Sequence, residues 1–278
     1  MTARDQALAA LAAPLGVEGS GRVRYGAAMA LYAAGQIGPE VLEIFRICSP
    51  LDAEDPRALL ASRGLTLPID LPTPAARIVA LVAEADRYIA TLCSAGVAEV
   101  RAGLVDATPA PPASEPNPVV AAHLSTALTM VAATHPTLAA VIEGASPHLS
   151  WVTYDRYDRA QIGEAFATGH AYAVLATGAD YELGIFLIAP HILYRDHAHA
   201  APELYAPLTG PHGWRFGPET ALVTKPAHTP VWNPPHQIHA TKVGPTPLLC
   251  LYGWTRDVTV PAYVIPADDW PAIEALRL

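Results

Sequence analysis

The sequence predicts an α+β protein in which a helical N-terminal region precedes an antiparallel β sandwich or barrel. Residues 1–110 are rich in alanine and leucine, and proline clusters between the apolar segments rather than within them. From Trp151 onward the chain changes to short runs of β-branched and aromatic residues bounded by Gly, Pro and Asp. Many short strands without intervening helices are typical of antiparallel sandwiches and barrels.

Helix signals recur through the first half of the chain. The clearest helix is at 74–95, where Ile78, Leu81 and Ile89 belong to an apolar set that recurs at three- and four-residue steps. Residues 106–118 form a proline-rich connector that cannot be a helix or a central strand. The full set of predicted helices is 3–13, 24–34, 39–48, 74–95, one from Asn117-Pro118 to about 133, and one from His135-Pro136 to 144.

Strand signals fill the second half of the chain. They are short and are bounded by turn-forming residues, as expected for an antiparallel fold. A last short helix is expected within residues 266–278. The predicted strands are 149–154, 171–176, 181–189, 193–199, 203–209, 213–216, 221–223, 229–232, 237–242, 248–254 and 263–266.

Composition excludes several classes of function. The chain has 278 residues, 17 basic against 26 acidic, and a formal charge of −9 without any lysine- or arginine-rich run, so nucleic acid is not an expected partner. Three widely spaced cysteines argue against a disulfide framework. The N-terminus lacks the apolar core of a signal peptide, and no apolar run approaches the ~18 residues of a membrane span. We expect a soluble, cytoplasmic protein with no membrane partner.

Residues 190–210 have the features of a metal site. His197, His199, Glu203 and Tyr205 are separated by even steps, so on an extended strand they would project to one face. Imidazole and carboxylate groups are ligands that divalent first-row metals accept. The alternative explanation is a polar strand face whose histidines lie in water.

Two stretches of this region resemble the motifs of the cupins. The spacing His197-x-His199-x3-Glu203-x6-Gly210 resembles the first motif. The second motif brings one more histidine near a proline, and residues 234–240 resemble it, although they lack the usual glycine and offer two histidines, His236 and His239.

The cupin resemblance implies both a ligand set and a domain organisation. His239 better matches the family's proline-to-histidine step as the remaining ligand, which makes His236 a pocket residue. The implied organisation is a helical N-terminal region over residues 1–148 and a cupin β-barrel, a double-stranded β-helix or jelly roll, over residues 149–278. Cupins often pair through their sheets, which leaves a homodimer open.

A narrower resemblance is to the cupin-type dimethylsulfoniopropionate (DMSP) lyases. It is carried by residues 193–199 and 203–210, with Trp214 and Trp232 downstream. The resemblance implies a helical part before the barrel and β-elimination of DMSP, a small-molecule substrate, to dimethyl sulfide and acrylate. It implies one divalent metal ion, such as zinc, iron or manganese, at His197, His199, Glu203 and His239. It also implies a catalytic role for Tyr194 or Tyr205.

The required chemistry agrees with a tyrosine base. A β-elimination needs a base for the proton next to the carboxylate, and a cation beside a phenol lowers the phenol's pKa by favouring the phenolate. Tyr205 shares strand parity with the metal ligands. Tyr194 has the opposite parity and would point outward unless the Arg195-Asp196 step carries a β-bulge. The family resemblance nevertheless favours Tyr194 as the base.

The sulfonium group of such a substrate suits aromatic faces, because cations are attracted to π-systems. The expected substrate-binding residues are Trp214, Trp232 and Tyr154, with Trp151 as a further candidate and His236 in the pocket. Two other classes stay open: a metal-dependent cupin oxygenase or isomerase, and a cupin that binds a small ligand without turnover. The tyrosine pair favours the lyase, since neither alternative needs it.

Overall fold

The computed structural model describes residues 3–68 and 72–278. Its backbone contacts divide the chain into two compact units, Met1–Thr73 and Pro74–Leu278. The first unit contains helices α1 (Ala3–Leu11), α2 (Ser20–Ala33), α3 (Pro39–Cys48) and α4 (Pro56–Ser62). Its core is apolar and includes Leu31, Ile44, Phe45 and Leu60, all of which are buried.

The second unit begins with four helices. These are α5 (Pro74–Ala90), α6 (Val97–Leu104), α7 (Pro118–Thr134) and α8 (Pro136–Ala145), and a 3-10 turn follows at Ser146–His148. Asn117 caps α7, because its side-chain oxygen accepts hydrogen bonds from the backbone N–H groups of Val119 (3.0 Å) and Val120 (3.3 Å). Three short helices lie further along the chain: α9 (Arg159–Ile162), α10 (Glu164–Thr168) and α11 (Trp270–Ala275).

Two antiparallel sheets make up the rest of this unit. Among the described residues, the six-stranded sheet has the order β1-β2-β3-β10-β5-β8 and the five-stranded sheet has the order β11-β4-β9-β6-β7. The strands are β1 (Thr108–Pro109), β2 (His170–Gly178), β3 (Tyr181–Ile188), β4 (Leu193–Ala198), β5 (Glu203–Pro207), β6 (His212–Arg215), β7 (Val223–Lys225), β8 (Val231–Asn233), β9 (His239–Lys242), β10 (Leu248–Trp254) and β11 (Tyr263–Val264).

The six-stranded sheet buries both faces. Leu249 and Leu251 of β10 pack in the same cluster as Leu81, Val131 and residues of the other helices α6 and α8. The alternate residues of β10, Cys250 and Tyr252, pack instead with Phe186, Tyr205 and Trp214 in the barrel interior. Successive side chains of each strand therefore point alternately to the helix-facing core and to the barrel interior, where a functional site can lie.

Besides shifts of element bounds, the structure differs from the predicted elements in one strand and in several short helices. The predicted strand at 149–154 is reduced to an isolated bridge between Val152 and Tyr172. The ladder stops there because the Tyr154 N–H donates to the ring nitrogen Nε2 of His170 (3.0 Å) rather than to a backbone carbonyl. Helices α4, α6, α9 and α10 were not predicted individually, since each is too short for a clear apolar period.

The boundary between a helical region and a barrel domain at residues 148 and 149 stays a prediction. In the structure, β-strand pairing in the barrel proper begins at β2, while the contact division lies between residues 73 and 74. Within the described parts of the chain, no helix is long and apolar enough to cross a membrane.

Candidate active site

Three strands bring the predicted metal ligands together inside the barrel. His197 lies on β4, His199 follows that strand, Glu203 begins β5 and His239 begins β9, directly paired with His197. One ligand nitrogen from each of the three histidines lies within 4.8 Å of the other two. All four side chains are buried, with at most 3% exposure. The water-exposed strand face, the alternative explanation of these histidines, does not agree with this burial.

Each imidazole of the triad is held in one orientation by its own backbone. The Nδ1 atoms lie 2.8 Å from the Arg195 carbonyl oxygen for His197, 2.6 Å from that of Ala201 for His199, and 2.8 Å from that of Gln237 for His239. Since a carbonyl can only accept, each Nδ1 carries a proton, which leaves a lone pair on the Nε2 of His197 and of His239, whereas the Nε2 of His199 faces the Glu203 carboxylate at 3.0 Å. This arrangement is the usual one for a metal-binding histidine.

Two of these nitrogens have no hydrogen-bond partner among the residues that the structure describes. The Nε2 atoms of His197 and His239 are buried and unsatisfied within the described residues. A buried acceptor without a donor costs about 1–3 kcal/mol, so such atoms call for a partner. The buried histidine triad is therefore compatible with a metal ion, which would satisfy both lone pairs at once.

Glu203 supplies the negative charge of the site. Its Oε2 lies 3.0 Å from His199 Nε2 and 3.4 Å from His239 Nε2, and its Oε1 accepts a hydrogen bond of 2.8 Å from the Trp254 indole. Burial raises the pKa of Glu203, but the His199 and His239 imidazoles outweigh it and hold that pKa well below its ordinary value. The carboxylate is therefore ionised and available to a cation.

The structure separates the two histidines of the second motif. His239 lies with the other imidazoles, 4.1 Å from the His197 ring and 5.1 Å from the His199 ring between centroids. His236 is exposed, adopts a positive φ of 60°, and has its Nδ1 3.4 Å from the Tyr263 hydroxyl. It does not line the cavity, so the predicted pocket position of His236 does not agree with the structure.

A β-bulge places Tyr194 on the same side as the histidines. Tyr194 pairs with Thr241 and His197 pairs with His239, so three steps on β4 oppose two on β9. The Tyr194 ring stacks on the His197 imidazole at 3.8 Å and on the Phe166 ring at 4.0 Å. Strand parity alone would point Tyr194 outward unless a β-bulge lay at Arg195-Asp196. The structure contains that bulge.

Both predicted tyrosines reach the interior. The Tyr194 hydroxyl lies 2.8 Å from the hydroxyl of Tyr157, and the Tyr205 ring lies 5.9 Å from the His239 ring. Burial raises the pKa of Tyr194 and of Tyr205 well above the ordinary value, and nearby acidic groups, including Glu203, act in the same direction. Without a cation nearby, both phenols therefore keep their protons.

One histidine of the triad, His199, lines a cavity with aromatic walls. The cavity volume is about 130 Å³, and His199, Glu203, Tyr194 and Tyr205 contribute to its lining. Among the predicted substrate-binding residues, Tyr154 lines this cavity.

The predicted tryptophans lie elsewhere. Trp214 is buried beneath Tyr205, with ring centroids 5.4 Å apart, and is not part of the lining. Trp232 packs against the helix-facing core, because it alternates with Val231, which faces the interior. Trp151 is in that same helix-facing core and donates its indole N–H to Ser146. None of the three agrees with a substrate-binding position.

Several cavity residues were not predicted. The strongest additions are Tyr157, Tyr172, Glu182, Tyr252 and Trp254, all of which line the cavity. Tyr252 and Trp254 lie two residues apart on β10, and Glu182 and Phe186 lie four apart on β3. The sequence therefore predicts that the members of each pair share one face of the sheet. What the sequence could not show is which parity faces the interior, since both faces of this sheet are buried.

Comparison with known proteins identifies the family. The sequence model of the dimethylsulfoniopropionate lyase family matches residues 97–250, more than half of the chain. The chain belongs to this family. It is accordingly a carbon–sulfur lyase, and the predicted α+β class with helices before a cupin barrel is confirmed.

Solved structures show the same fold as this lyase. A chain from the crystal structures of the DMSP lyases RdDddP and RnDddQII is 17% identical, with a TM-score of 0.58 over 70% of this chain and 100% of that chain. The DMSP lyase DddQ from Ruegeria pomeroyi is 18% identical, with a TM-score of 0.55 over 69% and 98% of the two chains. At these identities the likeness concerns the fold alone. No curated protein sequence matches the chain.

Proposed function

We propose that this lyase cleaves DMSP by β-elimination to dimethyl sulfide and acrylate. The observation that carries the proposal is a buried histidine triad with unsatisfied nitrogens, one member of which, His199, lines an aromatic cavity together with two buried tyrosines. Family membership supports the same reaction. An oxygenase, an isomerase or a cupin that binds a ligand without turnover would not need the tyrosine pair.

One divalent metal ion, zinc, iron or manganese, would be held by His197, His199, Glu203 and His239. Three neutral imidazoles and one carboxylate are ligands that all three metals accept. When bound, the ion supplies positive charge for the substrate carboxylate and for the negative charge that develops beside it. The backbone carbonyls that fix each Nδ1 hold the three imidazoles in one orientation, and the Trp254 indole holds Glu203 by donating to its Oε1.

Tyr194 is the proposed general base. Its ring is stacked on His197, so its hydroxyl is fixed close to the proposed carboxylate position, and the Tyr157 hydroxyl can donate to a phenolate at Tyr194. The base removes the proton next to the carboxylate, that electron pair forms the carbon–carbon double bond, and the carbon–sulfur bond breaks. Dimethyl sulfide leaves as a neutral molecule, so no acid is required.

The experiment combines product detection with metal analysis. Metal-loaded protein is incubated with DMSP and dimethyl sulfide is followed by gas chromatography of the headspace. We expect product from the wild type, and loss of both bound metal and activity in His199→Ala. His236→Ala is the matched control, because it removes an exposed histidine of the same motif, and it should keep metal and activity.

Two outcomes would contradict the proposal. Absence of dimethyl sulfide with every divalent metal would refute the lyase reaction on this substrate. Full metal occupancy in His199→Ala, or loss of metal in His236→Ala, would refute the ligand set.

A further inference from the structure

The cavity contains a second carboxylate that the proposed reaction does not use. Glu182 on β3 lines the cavity, and its backbone is paired directly with Trp254 on β10. On the other side of Trp254, β10 pairs with Glu203 on β5. The two glutamates therefore flank one indole in a single row across three adjacent strands.

The row sets the distance between the two carboxylates. Neighbouring strands lie about 4.8 Å apart, so the backbones of Glu182 and Glu203 are separated by roughly 10 Å. All three residues of the row line the cavity, so a short substrate with a three-carbon chain would lie over the row and reach from one carboxylate towards the other. Its carboxylate would face the histidine triad and its other end would face Glu182.

The orientation of Glu182 is fixed by Tyr252. The Tyr252 hydroxyl donates a 2.7 Å hydrogen bond to Glu182 Oε1. The Tyr252 ring lies across Gly184, its partner on β3, so closely that a Cβ at this position would be 2.3 Å from the ring. Only glycine admits this ring position, which places the hydroxyl beside the carboxylate two residues along the same face.

The surroundings of Glu182 suit a methylated cation. Tyr154, Tyr172, Tyr252 and Trp254 line the same cavity. A sulfonium or quaternary ammonium group has no N–H or O–H to donate, so a protein recognises it by negative charge and by aromatic faces. Burial and the negative charge of Glu203 raise the pKa of Glu182 above its ordinary value, while the Tyr252 hydroxyl and the Arg156 guanidinium partly oppose that rise by favouring the carboxylate.

We propose that Glu182 binds the dimethylsulfonium end of the substrate and selects methylated onium compounds over neutral thioethers. This inference rests on the proposed function, since it assigns the cationic end of the same substrate. Glu182 is a specificity-determining residue here, and Glu203, at the other end of the row, belongs to the proposed metal ligands.

The first test compares a charged substrate with its neutral analogue. In Glu182→Gln the shape and the hydrogen bond from Tyr252 are retained, and only the charge is removed. We expect KM for DMSP to rise about tenfold, equivalent to about 1.4 kcal/mol, with a smaller change in kcat. The inhibition constant of 3-(methylthio)propionate, which has the carboxylate but no positive charge, should change by less than about twofold.

Glu219→Gln is the matched control, because Glu219 is an exposed glutamate outside the cavity. It should leave both constants unchanged. An equal loss of affinity for DMSP and for the neutral thioether in Glu182→Gln would overturn the inference, since it would indicate a general change in the cavity. A fall in kcat at constant KM would overturn it as well, because the side chain would then act on the reaction rather than on recognition.

The second test separates this inference from the proposed function. Binding of trimethylsulfonium ion to the metal-loaded protein is measured by titration calorimetry, which needs no turnover. We expect saturable binding that Glu182→Gln weakens about tenfold and Glu219→Gln does not weaken. If DMSP is not cleaved but this result holds, the onium site stands and the reaction is wrong. If DMSP is cleaved but Glu182→Gln binds the ion as the wild type does, the onium site is wrong.

Discussion

At the residue scale, the two phenols of Tyr157 and Tyr194 share one hydrogen bond beside the histidine triad. Their oxygens are 2.8 Å apart, both rings are buried, and burial raises the pKa of each. Two groups that share one hydrogen bond lose their protons in coupled steps, so a single phenolate is stabilised by the remaining hydroxyl. This hydrogen bond therefore links the protonation of the proposed base, Tyr194, to that of Tyr157.

Replacing the proposed base should remove turnover without removing the metal. We expect Tyr194→Phe to lower kcat by about 10²- to 10⁴-fold, the usual contribution of a positioned base. Metal content, measured by elemental analysis, should stay at the wild-type value, because Tyr194 is not one of the proposed ligands. Tyr205→Phe is the informative comparison, since that ring lies in the same cavity. Wild-type turnover in Tyr194→Phe together with loss in Tyr205→Phe would assign the base to Tyr205.

The sequence predicted the donor residues better than their orientation. His197, His199 and Glu203 came from spacing, and His239 came from the cupin resemblance; the structure brings all four together. Strand parity failed for Tyr194, because a bulge adds one residue on β4. Strand parity could not show which face of the sheet Trp232 and Trp254 occupy, since both faces of their strands are buried.

At the element scale, the bulge of β4 is anchored from outside the barrel. The Arg215 guanidinium is bonded to both Asp196 and Asp269, and the Trp270 indole donates to Asp196 at 2.8 Å. Arg195 is bonded to Glu274 at 2.9 Å. The two residues of the bulge are thus tied to β6 and to α11, on the side opposite to Tyr194 and His197.

Breaking this anchor should destabilise the fold. Arg215→Met leaves the carboxylate of Asp196, which is 0% exposed, without its cation. Removing one partner of a buried ion pair costs about 3–5 kcal/mol, which urea unfolding followed by tryptophan fluorescence would measure. Arg256→Met removes an exposed bridge to Glu99 and should cost less than about 1 kcal/mol. Equal losses in the two variants would contradict an anchoring role for Arg215.

Elements with a strong local signal were predicted closely. The helix at 39–48 has the predicted bounds, because Pro39 begins it and Ser49-Pro50 follows it. The helix at 74–95 ends earlier, at Ala90, and α6 follows as a separate element. The strand at 149–154 was wrong because a side chain, His170, accepts the hydrogen bond that would have continued the ladder. Such a tertiary contact leaves no trace in local sequence.

At the scale of the whole molecule, the helices before the barrel belong to its core. Residues of α5 through α8 share one apolar cluster with the outer face of the six-stranded sheet. The family match over residues 97–250 likewise begins within these helices and lies wholly inside the second unit. A sheet with two apolar faces requires cover on both, and α5 to α8 supply it on one.

The position of the structural division leads to a prediction about truncation. A chain of residues 74–278 retains the complete helix-facing core, so we expect it to fold, to bind metal and to keep kcat/KM for DMSP within about twofold. A chain of residues 97–278 loses α5, whose Ile78, Leu81 and Ile89 are at most 1% exposed.

Each of those three side chains contributes about 1.5–3 kcal/mol by burial, so the shorter chain should lose much of a typical stability of about 5–15 kcal/mol. Circular dichroism, thermal unfolding and headspace dimethyl sulfide would compare both truncated chains with the full chain. A folded 74–278 chain without activity would mean that residues 1–73 contribute to the reaction. A stable and active 97–278 chain would mean that α5 is dispensable. Exposing the apolar surface that α5 covers would then cost less free energy than the area of that surface indicates.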